Sequence, residues 1–211
     1  MINSYDQQVS IASIKCVHGS SGQPEWAHVS GWAQLSGSPR KVSCVVTCCD
    51  SAMLLTRLLP ELSDLLTEAG FPWEITCVDG ASSDGTAELL AQWSELPGFR
   101  WIRLERDYGQ TAAMQTGLRH AIGDAVILVS ADADLSAQLL PDMIEKWDEG
   151  NDVVVLGSDG GGGLDRLVCW NLDAPGGQPQ GMFGEQMPAG AGQSMLLDRR
   201  VVDLLLQQES R

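Results

Sequence analysis

Val42-Ser43-Cys44-Val45-Val46-Thr47-Cys48 is a near-continuous apolar run, the pattern of a strand buried on both faces. Residues 73–79 alternate and read as a second strand, residues 99–105 as a third, and residues 125–131, again an unbroken apolar run, as a fourth. Between them the apolar residues switch to helical spacing. Leu55, Leu58, Leu59, Leu62, Leu65 and Leu66 stripe the first interval, Leu89, Leu90 and Trp93 the second, and Met114, Leu118, Ala121 and Ile122 the third. Leu140, Met143, Ile144 and Trp147 mark a helix after the fourth run, and residues 152–156 a fifth strand. Strands alternating with helices at these lengths predict an α/β fold with a mostly parallel sheet flanked by helices. Pro60 predicts a break or kink that divides the first helix into two pieces. Ser82, Ser83 and Asp84 are N-cap formers ahead of the second helix, and a helix cap is the role expected of Asp84.

Outward from this block the signals weaken. Residues 157–163 contain five glycines, and a polar, Gly/Pro-rich stretch continues to Gly192. It reads as a long loop, followed by a short strand at 194–197 and a final helix through Val201, Val202, Leu204 and Leu205. On the amino side, residues 9–16 and 26–35 suggest two short strands around a Gly/Ser/Pro turn. Ser38-Pro39 sets the boundary between an N-terminal extension, 1–39, and a single domain, 40–211.

Composition excludes several classes. Hydrophobic residues make up 44% of the 211 and charged residues 19%, so a buried core is expected. Thirteen Lys and Arg stand against 28 Asp and Glu, a net charge of −15. That balance argues against nucleic-acid binding and against electrostatic docking on anionic lipid. No transmembrane stretch is present, and residues 1–8 lack the blocks of a signal peptide, so a cytoplasmic location is expected. The six cysteines form no CxxC pair and read as buried thiols.

In an open parallel sheet, ligands bind beyond the carboxyl ends of the strands. Asp50 follows the first strand, Asp79 ends the second, and Asp132 and Asp134 follow the fourth. Carboxylates converging at one edge repel unless a cation joins them. Asp132-Ala133-Asp134 suits a hard divalent ion, Mg²⁺ or Mn²⁺, which in turn holds a diphosphate. A Rossmann-type dinucleotide binder is disfavoured, because no Gly-x-Gly-x-x-Gly follows the first strand.

Several motifs in order resemble the family 2 inverting glycosyltransferases of GT-A fold, in particular the dolichyl- or polyprenyl-phosphate sugar synthases. They are Val78-Asp79-Gly80-Ala81-Ser82-Ser83-Asp84-Gly85-Thr86, the run from Arg106-Asp107-Tyr108-Gly109 to Gly117, Asp132-Ala133-Asp134-Leu135, and Glu145-Lys146-Trp147-Asp148-Glu149-Gly150. Residues 190–202 resemble the family's late acceptor-side segment, ending in Leu197-Asp198-Arg199-Arg200. The resemblance implies that Asp79 contacts the nucleotide base, that Asp132 and Asp134 hold the metal and the donor diphosphate, and that the 109–117 helix floors the donor pocket. It places Arg106 near the donor, with a surface salt bridge as the equal alternative. Gly109 and Gly117 are expected to permit close helix–sheet packing.

There are departures. The family's Pro-x-Tyr-Asn-Glu is Thr47-Cys48-Cys49-Asp50-Ser51 here, and Gly80 replaces the second Asp of its Asp-Asp pair. Its Gly-Asp-Phe-Arg becomes Gly192-Gln193-Ser194-Met195, so a general base and a phosphate-binding arginine are missing. The 157–187 stretch is too glycine-rich for the amphipathic helices that seat a polyprenyl synthase on its membrane. The expected function is metal-dependent inverting transfer from a nucleotide-diphosphate sugar to a polyprenyl phosphate or a saccharide. A lipid-linked acceptor would make the protein peripheral to the membrane, brought there by a membrane-protein partner or neutral contacts. The alternative is a catalytically weak or inactive relative that binds nucleotide or a protein partner.

Overall fold

A computed structural model describes residues 16–18, 40–132, 139–157, 166–173 and 194–208. In chain order they form β1 (Cys16–His18), β2 (Val42–Cys48), α1 (Ala52–Glu68), β3 (Trp73–Asp79), α2 (Thr86–Trp93), β4 (Phe99–Leu104), α3 (Gln110–His120), β5 (Ala125–Ser130), α4 (Leu140–Asp148), β6 (Val153–Gly157), β7 (Arg166–Trp170), β8 (Ser194–Asp198) and α5 (Arg199–Gln208). One eight-stranded sheet runs in the order β1-β4-β3-β2-β5-β8-β6-β7. β4, β3, β2 and β5 are parallel neighbours, and β8 lies antiparallel between β5 and β6.

Both faces of the sheet are covered, which is why β2 and β5 read as apolar runs rather than alternations. Val42, Cys44, Val46 and Cys48 of β2 pack with Leu55, Leu59, Leu62 and Leu66 of α1, Leu90 of α2 and Met143, Ile144 and Trp147 of α4. Val45 turns the other way and joins Val78, Leu128 and Met195 against Ala113 and Leu118 of α3 and Val201, Val202 and Leu205 of α5. Gly117 sets the α3 spacing: a Cβ there would lie 2.1 Å from Val45 Cγ1. Gly109 differs, with nothing within 4 Å and a φ of +85. It serves the turn into α3, not the packing.

The amino edge of the parallel strands is closed by ions. Glu74 accepts from Lys41 Nζ at 2.8 Å, Ser43 Oγ at 2.6 Å, Arg100 Nη2 at 3.0 Å and the Ile122 N–H at 3.0 Å. Arg199 donates to the carbonyls of Ala121 and Gly123. Arg200 pairs with buried Asp152.

Several expectations change. Pro60 does not split α1, which is continuous. Leu55, Leu59, Leu62 and Leu66 are buried on both sides of the proline, and each buried leucine is worth about 1.5–3 kcal/mol against about 3 for the proline. Ile122 is not on the α3 face. The helix ends at His120, Ala121 is extended, and Ile122 is 63% exposed. Its N–H and that of Gly123 are drawn to Glu74 and Ser43 instead. Residues 166–170 are a strand, β7, paired antiparallel with β6, within a region read as loop. Of the amino-terminal segment, Cys16–His18 adds antiparallel to the outer edge of β4. The remaining residues proposed for that hairpin, 9–15 and 26–35, lie outside the described residues.

Candidate functional site at the carboxyl edge of β4, β3, β2 and β5

The register aligns the candidate residues. Cys48 of β2 is opposite Asp79 of β3, and Asp79 is opposite Arg103 of β4. Thr47 is opposite Ser130 of β5, two residues before Asp132. The chain builds β3 and β4 to one side of β2 and β5 to the other, so β2 is a topological switch point, where ligands bind in open α/β sheets.

Two loops, 49–51 and 80–85, are tied together above this point. Asp79 is wholly buried. Its Oδ1 accepts from the Ser82 N–H at 2.9 Å and from Ser82 Oγ at 2.5 Å. Ser82 Oγ in turn accepts the Asp50 N–H at 2.8 Å. Asp50 is exposed, and its Oδ1 accepts from the Ser83 N–H at 2.7 Å, from Ser83 Oγ at 3.2 Å and from the Asp84 N–H at 3.2 Å. Asp84 serves two helices, accepting from the Thr86 N–H at the start of α2 and the Ala52 N–H at the start of α1. Those bonds hold its carboxyl below the usual range, the Thr86 bond foremost. Asp50 and Ala81 both have positive φ, 48° and 64°, a conformation non-glycine residues adopt only when the surroundings impose it.

Arg106 is exposed, with its guanidinium 4.7 Å from the Tyr108 ring centre, a cation–π contact. Asp107 accepts the Gly109 N–H at 2.7 Å. Asp132 is exposed and accepts from Ser130 Oγ. Asp134 and Gln193 lie outside the described residues. No group of three or more His, Cys, Asp or Glu that suits a metal gathers among the described residues.

Cys49 departs from the expectation of buried thiols, being exposed at this edge. Desolvation and the carboxylates of Asp107, Asp50, Asp79 and Asp84 push its thiol up, so it is a poor nucleophile and a poor metal ligand at neutral pH. Cys44 fits the expectation: buried, its thiol is pushed up to about 12.

Two parts of the late segment, Met195 and the run Asp198-Arg199-Arg200, fall elsewhere than the resemblance implied. Met195 is buried in the core, paired with Leu128 and Val155, so an arginine there would enter apolar packing instead of facing an acceptor. Asp198, Arg199 and Arg200 lie at the amino edge, since β8 runs antiparallel and Asp198 is opposite Ala125. Sequence reading missed Arg103. Its Nη2 donates to the Ser82 carbonyl at 2.8 Å and its Nε faces Asp79 Oδ2 at 3.6 Å. Only the strand order brings β4 to β3, so no local signal marks it.

The family model of glycosyl transferase family 2 matches residues 43–203. The chain belongs to glycosyl transferase family 2. An undecaprenyl-phosphate 4-deoxy-4-formamido-L-arabinose transferase of Salmonella paratyphi B is 35% identical over 117 residues, 54% of this chain and 36% of the relative. The same transferase of Salmonella typhimurium matches to the same extent. The chain thus spans little more than a third of the curated relatives it matches. The fold of this family 2 chain is GT-A-like. Mannosyltransferase PcManGT from Pyrobaculum calidifontis, solved with GDP-Man and Mn2+, superposes with a TM-score of 0.53 at 20% identity, covering 81% of this chain and 47% of that one. S. aureus TarS in complex with UDP superposes with a TM-score of 0.54 at 20% identity, covering 80% and 49%.

Proposed function

We propose that this family 2 chain binds a nucleotide-diphosphate sugar at the carboxyl edge of β3, β2 and β5 and transfers the sugar with inversion. The observation that carries the reading is the alignment of Asp79, the 49–51 loop and Asp132 on adjacent strand ends at the switch point. In this reading residues 40–211 are the transferase domain, and 1–39 are an extension that lends β1 to its edge.

Asp79 takes the nucleobase. Asp50 and Asp84 fix the two loops around it, and Arg106 stands beside the donor. Exposed carboxylate oxygen is the donor type that Mg²⁺ and Mn²⁺ prefer, so Asp132, with Asp134, would hold the ion. Bound there, it would supply compensation for the charge that develops on the leaving diphosphate. The named activity of the Salmonella relatives supports a polyprenyl phosphate as acceptor. A phosphate is already ionised and needs positioning more than deprotonation, which suits a chain with Gln193 where the family has an acid. A lipid-linked acceptor would set the protein on the cytoplasmic face of a membrane. Among the described residues no helix is long and apolar enough to cross one.

Asp132→Asn tests the site. Titration calorimetry with UDP and GDP should show Mn²⁺-dependent binding in the wild type and its loss in the variant. Unfolding free energy should stay within about 0.5 kcal/mol, as for an exposed position. Equal Mn²⁺-dependent affinity in both proteins would remove the donor site from this edge.

A further inference from the structure

Met53 and Leu54, in the first turn of α1, are 90% and 49% exposed. Single exposed apolar side chains are ordinary, but among the described residues these are the only two large ones that are consecutive in sequence. Arg57 lies one turn beyond Met53, on the same side of the helix. It is exposed and forms no ion pair among the described residues. Residues 51–60 contain no Asp or Glu, so the outward surface of these two turns is apolar with one positive charge.

The place of this surface sets it apart. Leu96 and Ile122, 48% and 63% exposed, follow α2 and α3 and sit at the amino edge of the sheet. α1 starts from the carboxyl end of β2, so Met53 lies three residues from Asp50 on the rim of the candidate site. Its first turn is tied to that site, with the Ala52 N–H donating to Asp84 at 3.2 Å and the Ser51 N–H to Thr86 Oγ1 at 2.9 Å. The apolar pair therefore has a fixed position relative to the 80–85 loop.

We propose that Met53 and Leu54 are a membrane-docking tip that enters the headgroup layer of a neutral bilayer and turns the carboxyl edge toward a lipid-linked acceptor. The inference rests on the lipid-acceptor reading above and adds the surface through which chain and bilayer meet. Charge selects the kind of lipid. Asp50 and Asp84 stand just behind the pair, and the whole chain carries −15, so anionic headgroups are repelled. A zwitterionic headgroup offers its phosphate to Arg57, whose stem lies along the apolar surface while its guanidinium stays in the polar layer. Two side chains bury less than a myristoyl chain, which by itself binds only marginally. The contact is thus weak and reversible, and it orients the chain without anchoring it.

The experiment is co-sedimentation of the full chain with phosphatidylcholine vesicles at on the order of 5 mM lipid. A measurable fraction of the wild type should pellet. Met53→Ser with Leu54→Ser should lower the partition coefficient at least about tenfold, and Arg57→Glu should lower it by about fivefold. Leu96→Ser with Ile122→Ser, the same change at the opposite edge, should leave it within about twofold. All five positions are exposed, so urea midpoints should stay at the wild-type value and report any misfolding. A wild type that does not pellet would overturn the inference, and so would an equal loss in the two serine pairs. Neither result touches the donor site, which Mn²⁺-dependent nucleotide binding and its loss in Asp132→Asn test separately.

Discussion

Glu74 lies at the amino end of β3, 2% exposed, and joins Lys41, Ser43, Arg100 and the backbone before β5. Burial alone would raise its carboxyl. Bonds from Lys41, Ser43 and the Ile122 N–H, with the charge of Arg100, outweigh burial and hold it below the usual range. A depressed carboxyl stabilises the fold above its unfolded pKa, about 4.3, and loses that contribution as pH falls through the folded value. Glu74→Gln removes the buried charge that Lys41 and Arg100 pair with and should cost about 3–5 kcal/mol at pH 7. In urea unfolding, the gap between wild type and variant should narrow once pH drops below about 4.3. An unchanged gap at pH 3 would show that the Glu74 charge is not what holds this edge.

At the scale of the element, α1 contains a conflict that packing resolves. Pro60 sits inside the helix, where it gives up one backbone hydrogen bond and crowds the preceding turn. The leucine face keeps the helix whole. Pro60→Ala restores the N–H, a gain of up to about 3 kcal/mol, offset by about 0.4–1 kcal/mol because the unfolded chain becomes freer. A net gain of about 2 kcal/mol is expected, read as a higher urea midpoint at unchanged slope. No gain would mean that the local backbone already accommodates the proline. The pairing of α1 with α2 has another origin, since Asp84 binds the first N–H of both.

Over the whole molecule, 13 basic and 28 acidic residues leave a net charge of −15. A basic residue near an anionic membrane contributes about 1 kcal/mol of attraction, and an acidic excess works in the opposite sense. In co-sedimentation at physiological salt, this chain should bind vesicles containing phosphatidylserine no better than vesicles of phosphatidylcholine alone. Strong pelleting on the anionic vesicles would show a basic face that the net charge conceals. If the acceptor is the lipid-linked one proposed above, its contact with this chain would have to rely on something other than bulk electrostatics.

The apolar run 42–48 and its successors dictated the layered α/β architecture, because a strand covered on both faces has no polar side to show. The carboxylates at strand ends were legible for a related reason: strand direction alone places Asp50, Asp79 and Asp132 at one edge. What the linear sequence could not decide was partnership across the sheet. Arg103 reads as an ordinary charge in a strand until β4 is laid beside β3 and its guanidinium faces Asp79. Met195 reads as a lost phosphate ligand until β8 is inserted between β5 and β6 and buries it. Glu74 reads as one polar residue in an apolar run until residues 33 and 26 positions away in sequence bring their charges to it. Local pattern fixes the elements, because periodicity and side-chain chemistry act within a few residues. Which buried charge meets which depends on strand order and register, and these are set by the packing of the whole chain.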